Sequence, residues 1–323
     1  MQSARLALFR AGALVASVLP AGASCRLALG VGRGLGQLPD FDGKRAVVAS
    51  HMARVLGRAL SEPEAKELVA QVFANYSRYW AESLRLPSVS PRRVVAGVST
   101  VGEEALDLAL AEQKGVIIAA PHLGGWEWGA MYLIAKGLKV TVAVEPLEPP
   151  EVFDWFASFR ARLGMNIVPV GRGAGSTILE ALHQGHVVCL LSDRLVGQVS
   201  GTEVDFFGAP VKMPAGPATL ALRAKAPLMS AAIYCGEQAD AHTIVFRPPL
   251  EIPTEGAFHS RVQATTQLMA RELEALVRAA PTQWHIVQPN WPDDPPLRRR
   301  RWWGPAGRMS ECRAPRSRRG PSA

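Results

Sequence analysis

The sequence predicts an α/β protein in which a largely parallel central sheet is flanked by helices and preceded by a helical N-terminal region. Three observations support this prediction. Residues 40–87 carry apolar side chains at helical spacing, short β-rich runs alternate with helical stretches from residue 115 onward, and residues 258–280 show a long amphipathic pattern. With 323 residues, 48% of them hydrophobic and 20% charged, the chain can form one large α/β domain or two small ones with a sizeable core.

The N-terminal segment, residues 1–39, is apolar and basic. Arg5 and Arg10 precede an uncharged stretch over 11–25, and Ala-Gly-Ala at 21–23 makes this region similar to a signal peptide. The uncharged stretch has 15 residues, fewer than the roughly 20 that a membrane-spanning helix needs. Two interpretations stay open, a cleaved signal peptide and a segment that lies among lipid headgroups with its arginines toward anionic lipid. We expect the second, which makes this a peripheral protein at the cytoplasmic face of the cell membrane.

Residues 40–87 are predicted to be helical. Ser61 suits the position before a helix, and a helical run follows from Glu62. The apolar side chains that recur there at helical spacing are Leu68, Val72, Tyr76, Tyr79 and Trp80. We interpret these aromatic residues as core packing rather than as a cofactor site.

Short apolar and β-branched runs predict the strands of the sheet. They are 116–120, 140–144, 167–170, 187–191, 228–234 and 243–246. Their alternation with helical stretches is typical of parallel strands, and residues 258–280 close the fold as an amphipathic helix. The four cysteines share no metal-ligand spacing, and Cys189 lies in one of the buried runs. We therefore expect a reduced cytosolic compartment and no metal site.

The formal net charge of +8 is concentrated at the C terminus. Residues 298–323 contain nine arginines and one glutamate, which account for all of it. A neutral body with a cationic tail argues against a nucleic-acid-binding face and for an electrostatic anchor. We divide the chain into the membrane-associating segment (1–39), a folded domain (40–291) and a disordered basic tail (292–323). Trp302 and Trp303 in that tail either settle at a membrane interface or have no function there.

The segment 121–127, Pro-His-Leu-Gly-Gly-Trp-Glu, stands between a predicted strand and a predicted helix. It therefore lies at the carboxyl end of a strand, where open α/β sheets place their sites. A histidine there can take a proton from a hydroxyl near neutral pH, so His122 is either a general base or a capping or core histidine. Asp193 also ends a predicted strand and is expected in the same crevice, unless it only forms a surface ion pair with Arg194.

The segment 121–127 resembles the His-x4-acid motif of the lipid A biosynthesis acyltransferases and, more closely, that of the phosphatidylinositol mannoside acyltransferases of the same superfamily. The resemblance covers residues 75–291. The other segments that carry it, in the family's order, are 76–87, 159–165, 187–190, 193–194, 203–208, 213–218 and 284–291. Several motifs in register are more specific than any one of them. The resemblance implies a glycerolipid acyltransferase-like fold, with 40–291 as the acyltransferase domain.

The resemblance also implies roles for individual residues. His122 matches the catalytic base, Asp193 the acid that pairs with it, and Glu127 the motif acid, which looks like a structural or orienting partner. Residues expected to bind substrate are Glu145, Arg160, Arg194 and His285. His285 either lines the acceptor cleft or packs against the sheet.

The local sequence also predicts roles for Arg172 and Glu203. The glycine-rich run 171–176 is either a phosphate cradle or a flexible substrate loop, and Arg172 within it is expected to meet a phosphate of the acyl carrier. Glu203 is predicted to be a loop residue that positions the apolar pair Phe206 and Phe207.

The activity implied by the resemblance is O-acyl transfer from acyl-CoA or acyl carrier protein to a sugar hydroxyl of a glycolipid, most closely a phosphatidylinositol mannoside. The expected partners are this acceptor, the acyl thioester donor and the cytoplasmic leaflet, with no nucleic acid and no cofactor besides the co-substrate. The sequence has no Gly-x-Ser-x-Gly motif, which favours direct transfer, with backbone N–H groups near Gly124 and Gly125 as candidate oxyanion donors. The alternatives are a lipid A type acyltransferase, a thioesterase or other hydrolase, and a noncatalytic lipid-binding protein.

Overall fold

The structure, a computed structural model, describes residues 2–146, 150–196 and 200–297. Its helices are α1 (Gln2–Val18), α2 (Ala21–Leu35), α3 (Asp42–Leu56), α4 (Glu62–Arg85), α5 (Pro91–Ala96), α6 (Glu103–Ala111), α7 (Trp126–Ala135), α8 (Pro150–Arg162), α9 (Ala174–His183), α10 (Gly216–Ala224) and α11 (Phe258–Ala279). Its strands are β1 (Val98–Val101), β2 (Val116–Ala120), β3 (Val140–Val144), β4 (Asn166–Pro169), β5 (Val187–Leu191), β6 (Gly201–Phe206), β7 (Ala209–Pro214), β8 (Leu228–Cys235) and β9 (His242–Phe246). The arginine-rich part of the predicted tail, with Trp302 and Trp303, lies outside the described residues.

Seven strands form the central sheet in the order β1-β9-β8-β2-β5-β3-β4. All neighbouring pairs are parallel except β8 and β9, which are antiparallel. The predicted fold class is thereby confirmed, and each of the six predicted strands is present with bounds that differ by at most one residue. Strands β2 and β5 lie next to each other in the middle of the sheet, so the segments that follow them meet at its carboxyl edge.

The hairpin of β6 and β7 was not predicted. Residues of β6 alternate between exposed and buried positions, and Phe207 and Gly208 turn the chain with φ angles of 53° and 75°. The prediction that Glu203 lies in a loop is wrong, because it is on the exposed face of β6 and pairs with Lys212 of β7. A strand that is polar at every second position resembles a loop in sequence when its partner is not recognised.

Two apolar cores cover the two faces of the sheet. On one face Ile118 and Met229 pack with Trp128 and Leu133 of α7. On the other face Ile117 packs with side chains of α3, α9, α10 and α11, such as Met269 and Leu273. The amphipathic pattern predicted over 258–280 is confirmed as α11, which buries one side along its length.

The helical region predicted over 40–87 consists of two helices. Helix α3 ends at Gly57, whose φ of 67° is the left-handed conformation that stops a helix, and α4 begins at Glu62. Ser61 stands before α4 as predicted, although its side chain makes no capping hydrogen bond. Helices α1 and α2 pack on α4, and Phe9 contacts Trp80 with 5.6 Å between ring centroids. Within the described ranges, no helix combines the length and the hydropathy needed to cross a membrane.

Candidate active site

The register of β2 and β5 brings His122 and Asp193 together. Ala120 pairs with Leu191 at the end of the two parallel strands, so the residues two positions further on stand opposite each other. His122 Nδ1 lies 2.5 Å from Asp193 Oδ1, and the backbone N–H of His122 donates to Asp193 Oδ2 at 2.7 Å. The carboxylate therefore fixes both the ring and the backbone of His122, and Nε2 is the ring nitrogen left for a substrate.

Asp193 is fully buried and ionised. Burial raises the pKa of its carboxyl, but the charge of the His122 ring and hydrogen bonds from His122 and Trp284 outweigh burial and keep this pKa below its ordinary value. The side chain of His122, in contrast, is 26% exposed. A buried carboxylate that holds a partly exposed imidazole is the arrangement that lets histidine accept a proton from a hydroxyl.

Residues 284–294, which we call the C-terminal strap, form hydrogen bonds that hold this pair in place. Trp284 donates its indole N–H to Asp193 Oδ2 at 2.7 Å, and the side-chain amide of Asn290 donates to the backbone O of Asp193 at 3.1 Å. The backbone N–H of His285 donates to the backbone O of His122 at 2.8 Å. The carboxylate oxygen that receives Trp284 is thus fully occupied by His122 and the indole, which leaves Asp193 little freedom to turn.

Gly124 adopts a conformation that only glycine fits. Its φ is 58°, and a Cβ at this position would lie 1.7 Å from the backbone O of Ile233. The expectation that Gly124 offers an oxyanion donor is wrong, because its N–H donates to the backbone O of Gln283 at 3.0 Å. Of the two glycines, Gly125 alone remains a candidate for that role.

Glu127 belongs to a second buried network and does not hydrogen-bond to His122. It lies on the first turn of α7 and accepts hydrogen bonds from Tyr79 Oη and Ser83 Oγ at 3.1 Å each and from Arg160 Nη2 at 3.0 Å. The guanidinium of Arg160 also lies over the ring of Trp126, at 4.7 Å from the centroid. The motif acid therefore holds Arg160 and Tyr79, and the role that the resemblance implies for it stays a prediction.

A cavity of about 1030 Å³ opens at the carboxyl edge of the sheet, beside His122. It extends along both faces of the sheet, because Val142 and Val144 line it on one face and Ala143 on the other. On the face covered by α7 its wall is apolar and consists mainly of Ile118, Leu133, Val142, Ile233, Ile244 and Phe246. On the other face it continues between α9 and α10, where Ile178, Leu179 and Leu220 line it.

The residues predicted to bind substrate all line this cavity: Glu145, Arg160, Arg172, Arg194 and His285. Arg194 and Glu145 form an ion pair with Nη2 and Oε2 2.9 Å apart. This pair replaces the surface contact with Asp193 considered from the sequence. Arg172 is exposed in the loop before α9.

His285 lines the cavity, and the aromatic side chains against which it packs belong to α4. Its ring contacts the stacked pair Tyr76 and Tyr79, with centroids 5.4 and 5.2 Å away. Burial, aided by the nearby His122, lowers the pKa of His285 to about 3, so the ring is neutral at physiological pH. Its Nε2 atom is buried and has no partner among the described residues, which leaves it free for a substrate group.

The contacts made by the strap were not predicted. Trp284 and Asn290 are separated from Asp193 by 91 and 97 residues in sequence, and a tryptophan or an asparagine gives no sign of a distant partner. The motif over 284–291 was the one signal that could have drawn attention to this segment.

One group of side chains in the described ranges has the spacing of metal ligands, namely Glu82, Cys235 and His242. Both oxygens of Glu82 already have partners, because Arg78 donates to Oε1 at 2.7 Å and His242 Nε2 lies 3.1 Å from Oε2. Burial raises the pKa of the Cys235 thiol, whose Sγ donates to Glu82 Oε2 at 3.7 Å. Hydrogen bonds thus join the three side chains, while His242 Nδ1 has no partner among the described residues. The expectation of no metal site stays a prediction.

Comparisons with known proteins agree with this geometry. A family model described as bacterial lipid A biosynthesis acyltransferase matches residues 4–292. A phosphatidylinositol mannoside acyltransferase of Mycobacterium tuberculosis is 33% identical over 249 residues, which are 75% of this chain and 75% of that protein. The protein of the same name from Mycolicibacterium smegmatis is 30% identical over 245 residues, 75% of this chain and 77% of that protein. With a histidine and a carboxylate at the mouth of an apolar cavity, and a match over nearly the whole chain, this protein is an acyltransferase that belongs to the bacterial lipid A biosynthesis acyltransferase family.

Proposed function

We propose that this protein transfers a fatty acyl chain from an acyl thioester, acyl-CoA or acyl carrier protein, to a sugar hydroxyl of a membrane glycolipid of the phosphatidylinositol mannoside type. The observation that carries the proposal is the His122–Asp193 pair at the mouth of a large, mostly apolar cavity. The names of the two mycobacterial relatives support the choice of acceptor.

In the proposed reaction one histidine acts first as a base and then as an acid. His122 Nε2 takes the proton of the sugar hydroxyl, and the oxygen attacks the thioester carbonyl to form the new C–O bond. Asp193 stabilises the imidazolium that results. As the C–S bond breaks, the imidazolium returns the proton to the departing thiolate, and the enzyme ends in its starting state.

The apolar arm of the cavity under α7 suits the acyl chain. Its wall is built from aliphatic side chains and Phe246, which gain by being shielded from water when a hydrocarbon chain fills the space. The arm starts beside His122, so a chain bound in it would leave its thioester carbonyl at the rim. A chain held there is positioned for attack without a covalent acyl-enzyme.

The polar rim suits the two headgroups. Arg172 and Arg223 are both exposed at the lip of the groove between α9 and α10, where they can meet phosphate groups of the carrier or of the acceptor. His285 and the Glu145–Arg194 pair line the same opening and offer hydrogen bonds to a sugar.

A peripheral position at the cytoplasmic leaflet follows from the same proposal. Helices α1 and α2 expose several apolar side chains, namely Leu14, Val15, Val18, Leu27, Val31 and Leu35. Arg10, Arg26 and Arg33 are exposed on the same two helices, which suits contact with anionic lipid. Phe9 of α1 touches Trp80, which lines the cavity, so this apolar surface stands close to the site where a lipid acceptor must enter.

The test is acyl transfer from palmitoyl-CoA to a phosphatidylinositol mannoside by the wild type, His122→Ala and Asp193→Asn. We expect His122→Ala to abolish transfer, and Asp193→Asn to lower kcat by about 10²- to 10⁴-fold, because the amide neither fixes the tautomer of His122 nor stabilises its cation. Arg92→Ala, an exposed position on α5 away from the cavity, is the matched control and should turn over normally.

Omitting the glycolipid separates acyl transfer from hydrolysis. A transferase releases little thiol without its acceptor, whereas a thioesterase releases it at the same rate in both cases. Wild-type turnover by His122→Ala would refute the assignment of the base, and thiol release that does not depend on the glycolipid would favour the hydrolase.

A further inference from the structure

The buried His51 of α3 lies between two hydrogen-bond acceptors. Its Nδ1 is 3.1 Å from the backbone O of Ile286, and its Nε2 is 2.9 Å from Asp294 Oδ2. Both the His51 and the Asp294 side chains are fully buried. Neither residue lines the cavity, so the acyl transfer itself makes no direct use of this pair.

Both ring nitrogens of His51 face hydrogen-bonding groups of residues 284–294. The backbone O of Ile286 stands at Nδ1, and Asp294 Oδ2, which also accepts the backbone N–H groups of Asn290 and Trp291 at 2.7 and 2.9 Å, stands at Nε2. Burial raises the pKa of Asp294, but the hydrogen bonds from His51, Trp291 and Asn290 outweigh it and lower this pKa to about 2. The ring of His51 is therefore held on both sides by buried groups.

This contact closes the far end of the C-terminal strap. Ile286 and Asp294 both belong to the strap, and the ring of His51 also packs against Trp284 and Trp291, with centroids 5.4 and 5.1 Å away. Trp284 is the residue whose indole N–H holds Asp193. One side chain of α3 thus packs against Trp284 and binds the strap before and after Asn290, and these are the two strap side chains that hydrogen-bond to Asp193.

The remaining charged groups at this place belong to the same junction. Arg54 of α3 pairs with Asp293 at 2.7 Å, and its guanidinium lies over the ring of Trp291 at 4.7 Å from the centroid. Ser50 donates to Asp294 Oδ1 at 3.2 Å. Three residues of α3 therefore bind two adjacent aspartates of the strap.

We propose that His51 and Asp294 are positioning residues for acyl transfer, which fix the strap so that Trp284 and Asn290 hold Asp193 against His122. The inference rests on the proposed function, because it takes His122 as the base. It differs from a purely stabilising role in that the pair acts on turnover through one residue, Asp193.

The experiment is a double-mutant cycle with His51→Gln and Asp193→Asn, in which kcat and KM for palmitoyl-CoA and a phosphatidylinositol mannoside are measured well below the melting temperature of every variant. Glutamine can keep one of the two hydrogen bonds but not both. We expect His51→Gln to lower kcat by about 10- to 100-fold, since small displacements of catalytic groups cost about this much, with both KM values within about twofold of the wild type. In the Asp193→Asn background the same substitution should cost less than about threefold, because the group that it positions is already lost.

A shift of the pH–rate profile is the second readout. Asp193 is the charged group that contacts the ring of His122, so loosening this contact should shift the acid limb of the kcat profile. A loss of stability alone does not move that limb. Asp294→Asn keeps the shape of the site and should reproduce both effects; it serves as the test variant if His51→Gln does not fold.

His186→Gln is the matched control, because His186 hydrogen-bonds to Thr141 at the amino-terminal edge of the sheet, away from the strap. It should leave the pH–rate profile unchanged. Two results would overturn the inference. The first is that His51→Gln and Asp193→Asn lower kcat by factors that multiply independently, and the second is a wild-type kcat in both His51→Gln and Asp294→Asn. If Asp193→Asn itself turns over like the wild type, the proposed function fails; if only Asp193→Asn is impaired, the function stands and this inference falls.

Discussion

His285 shows how the environment of one side chain sets its chemistry. It lies close to His122 and lines the same cavity, yet its ring is buried against Tyr76 and Tyr79, whereas that of His122 faces the opening. Burial keeps the ring of His285 neutral. The proposed base is the histidine with the buried carboxylate partner, and His285 offers a neutral ring to the substrate.

The neutral state of His285 predicts a dependence of stability on pH. Its pKa is about 3 in the folded protein and about 6.5 in the unfolded chain, so below pH 6.5 the unfolded chain binds a proton that the folded protein does not. This contribution to the free energy of unfolding is complete above pH 6.5 and is lost as the pH falls toward 3, with a slope of up to about 1.4 kcal/mol per pH unit. His285→Phe keeps an aromatic ring against the two tyrosines and removes this contribution to the pH dependence of stability.

Urea unfolding of the wild type and of His285→Phe at pH 6.5, 5.5 and 4.5 measures the difference. Asp193, Asp294 and the other titrating groups are present in both proteins and cancel in the comparison. We expect the wild type to lose free energy of unfolding relative to His285→Phe as the pH falls, by up to about 1.4 kcal/mol per pH unit. Parallel curves would show that His285 takes up its proton equally in both states.

At the scale of elements, the carboxyl edge of the sheet could be predicted, but the segment that closes it could not. The runs 116–120 and 187–191 are continuously apolar, which identifies buried parallel strands and places His122 and Asp193 at the same edge. Strand β1 and the β6–β7 hairpin were not predicted, because β1 alternates between half-buried and exposed positions and β6 between exposed and buried ones. The strap has no regular pattern at all, and its role depends on contacts across more than 90 residues.

The contact between α2 and α4 depends on one glycine. A Cβ on Gly32 would lie 2.3 Å from the backbone O of Phe73 and 2.8 Å from the Cα of Ala74, whereas a Cβ on Gly30 would meet nothing within 4 Å. Both glycines are inside α2, where alanine is favoured over glycine by about 1 kcal/mol. Gly30→Ala should therefore raise the melting temperature slightly, and Gly32→Ala should lower it, because overpacking costs about 1–3 kcal/mol.

Thermal unfolding of the two single variants checks this expectation within one helix and with one kind of substitution. Equal melting temperatures would mean that α2 does not pack on α4 as closely as described. A lower melting temperature for Gly32→Ala alone would tie the N-terminal helices to the folded body.

At the scale of the whole molecule, an apolar surface and an apolar cavity stand side by side. Helices α1 and α2 expose aliphatic side chains while α1 also contacts Trp80 and Phe156 through Phe9. Trp80 is part of the cavity wall. On the proposed function, a lipid substrate would pass from a membrane surface into the site over a short apolar path along the N-terminal helices.

The last prediction concerns this surface. The side chain of Val18 on α1 is 73% exposed and that of Leu14 is 65% exposed, so replacing both by serine removes apolar area without opening the core. If the surface docks on a bilayer, the double variant should bind vesicles that contain anionic phospholipid about 10-fold or more weakly, since burying each side chain contributes of the order of 1 kcal/mol. Its turnover of a detergent-dispersed acceptor should stay near the wild-type value, because neither residue lines the cavity.

Leu108→Ser on α6 is the matched control, as Leu108 is also 73% exposed but lies on a helix that covers the sheet. Cosedimentation of the three proteins with vesicles decides the point: if the double variant binds as well as Leu108→Ser, docking through α1 is excluded and the acceptor must reach the cavity by another route.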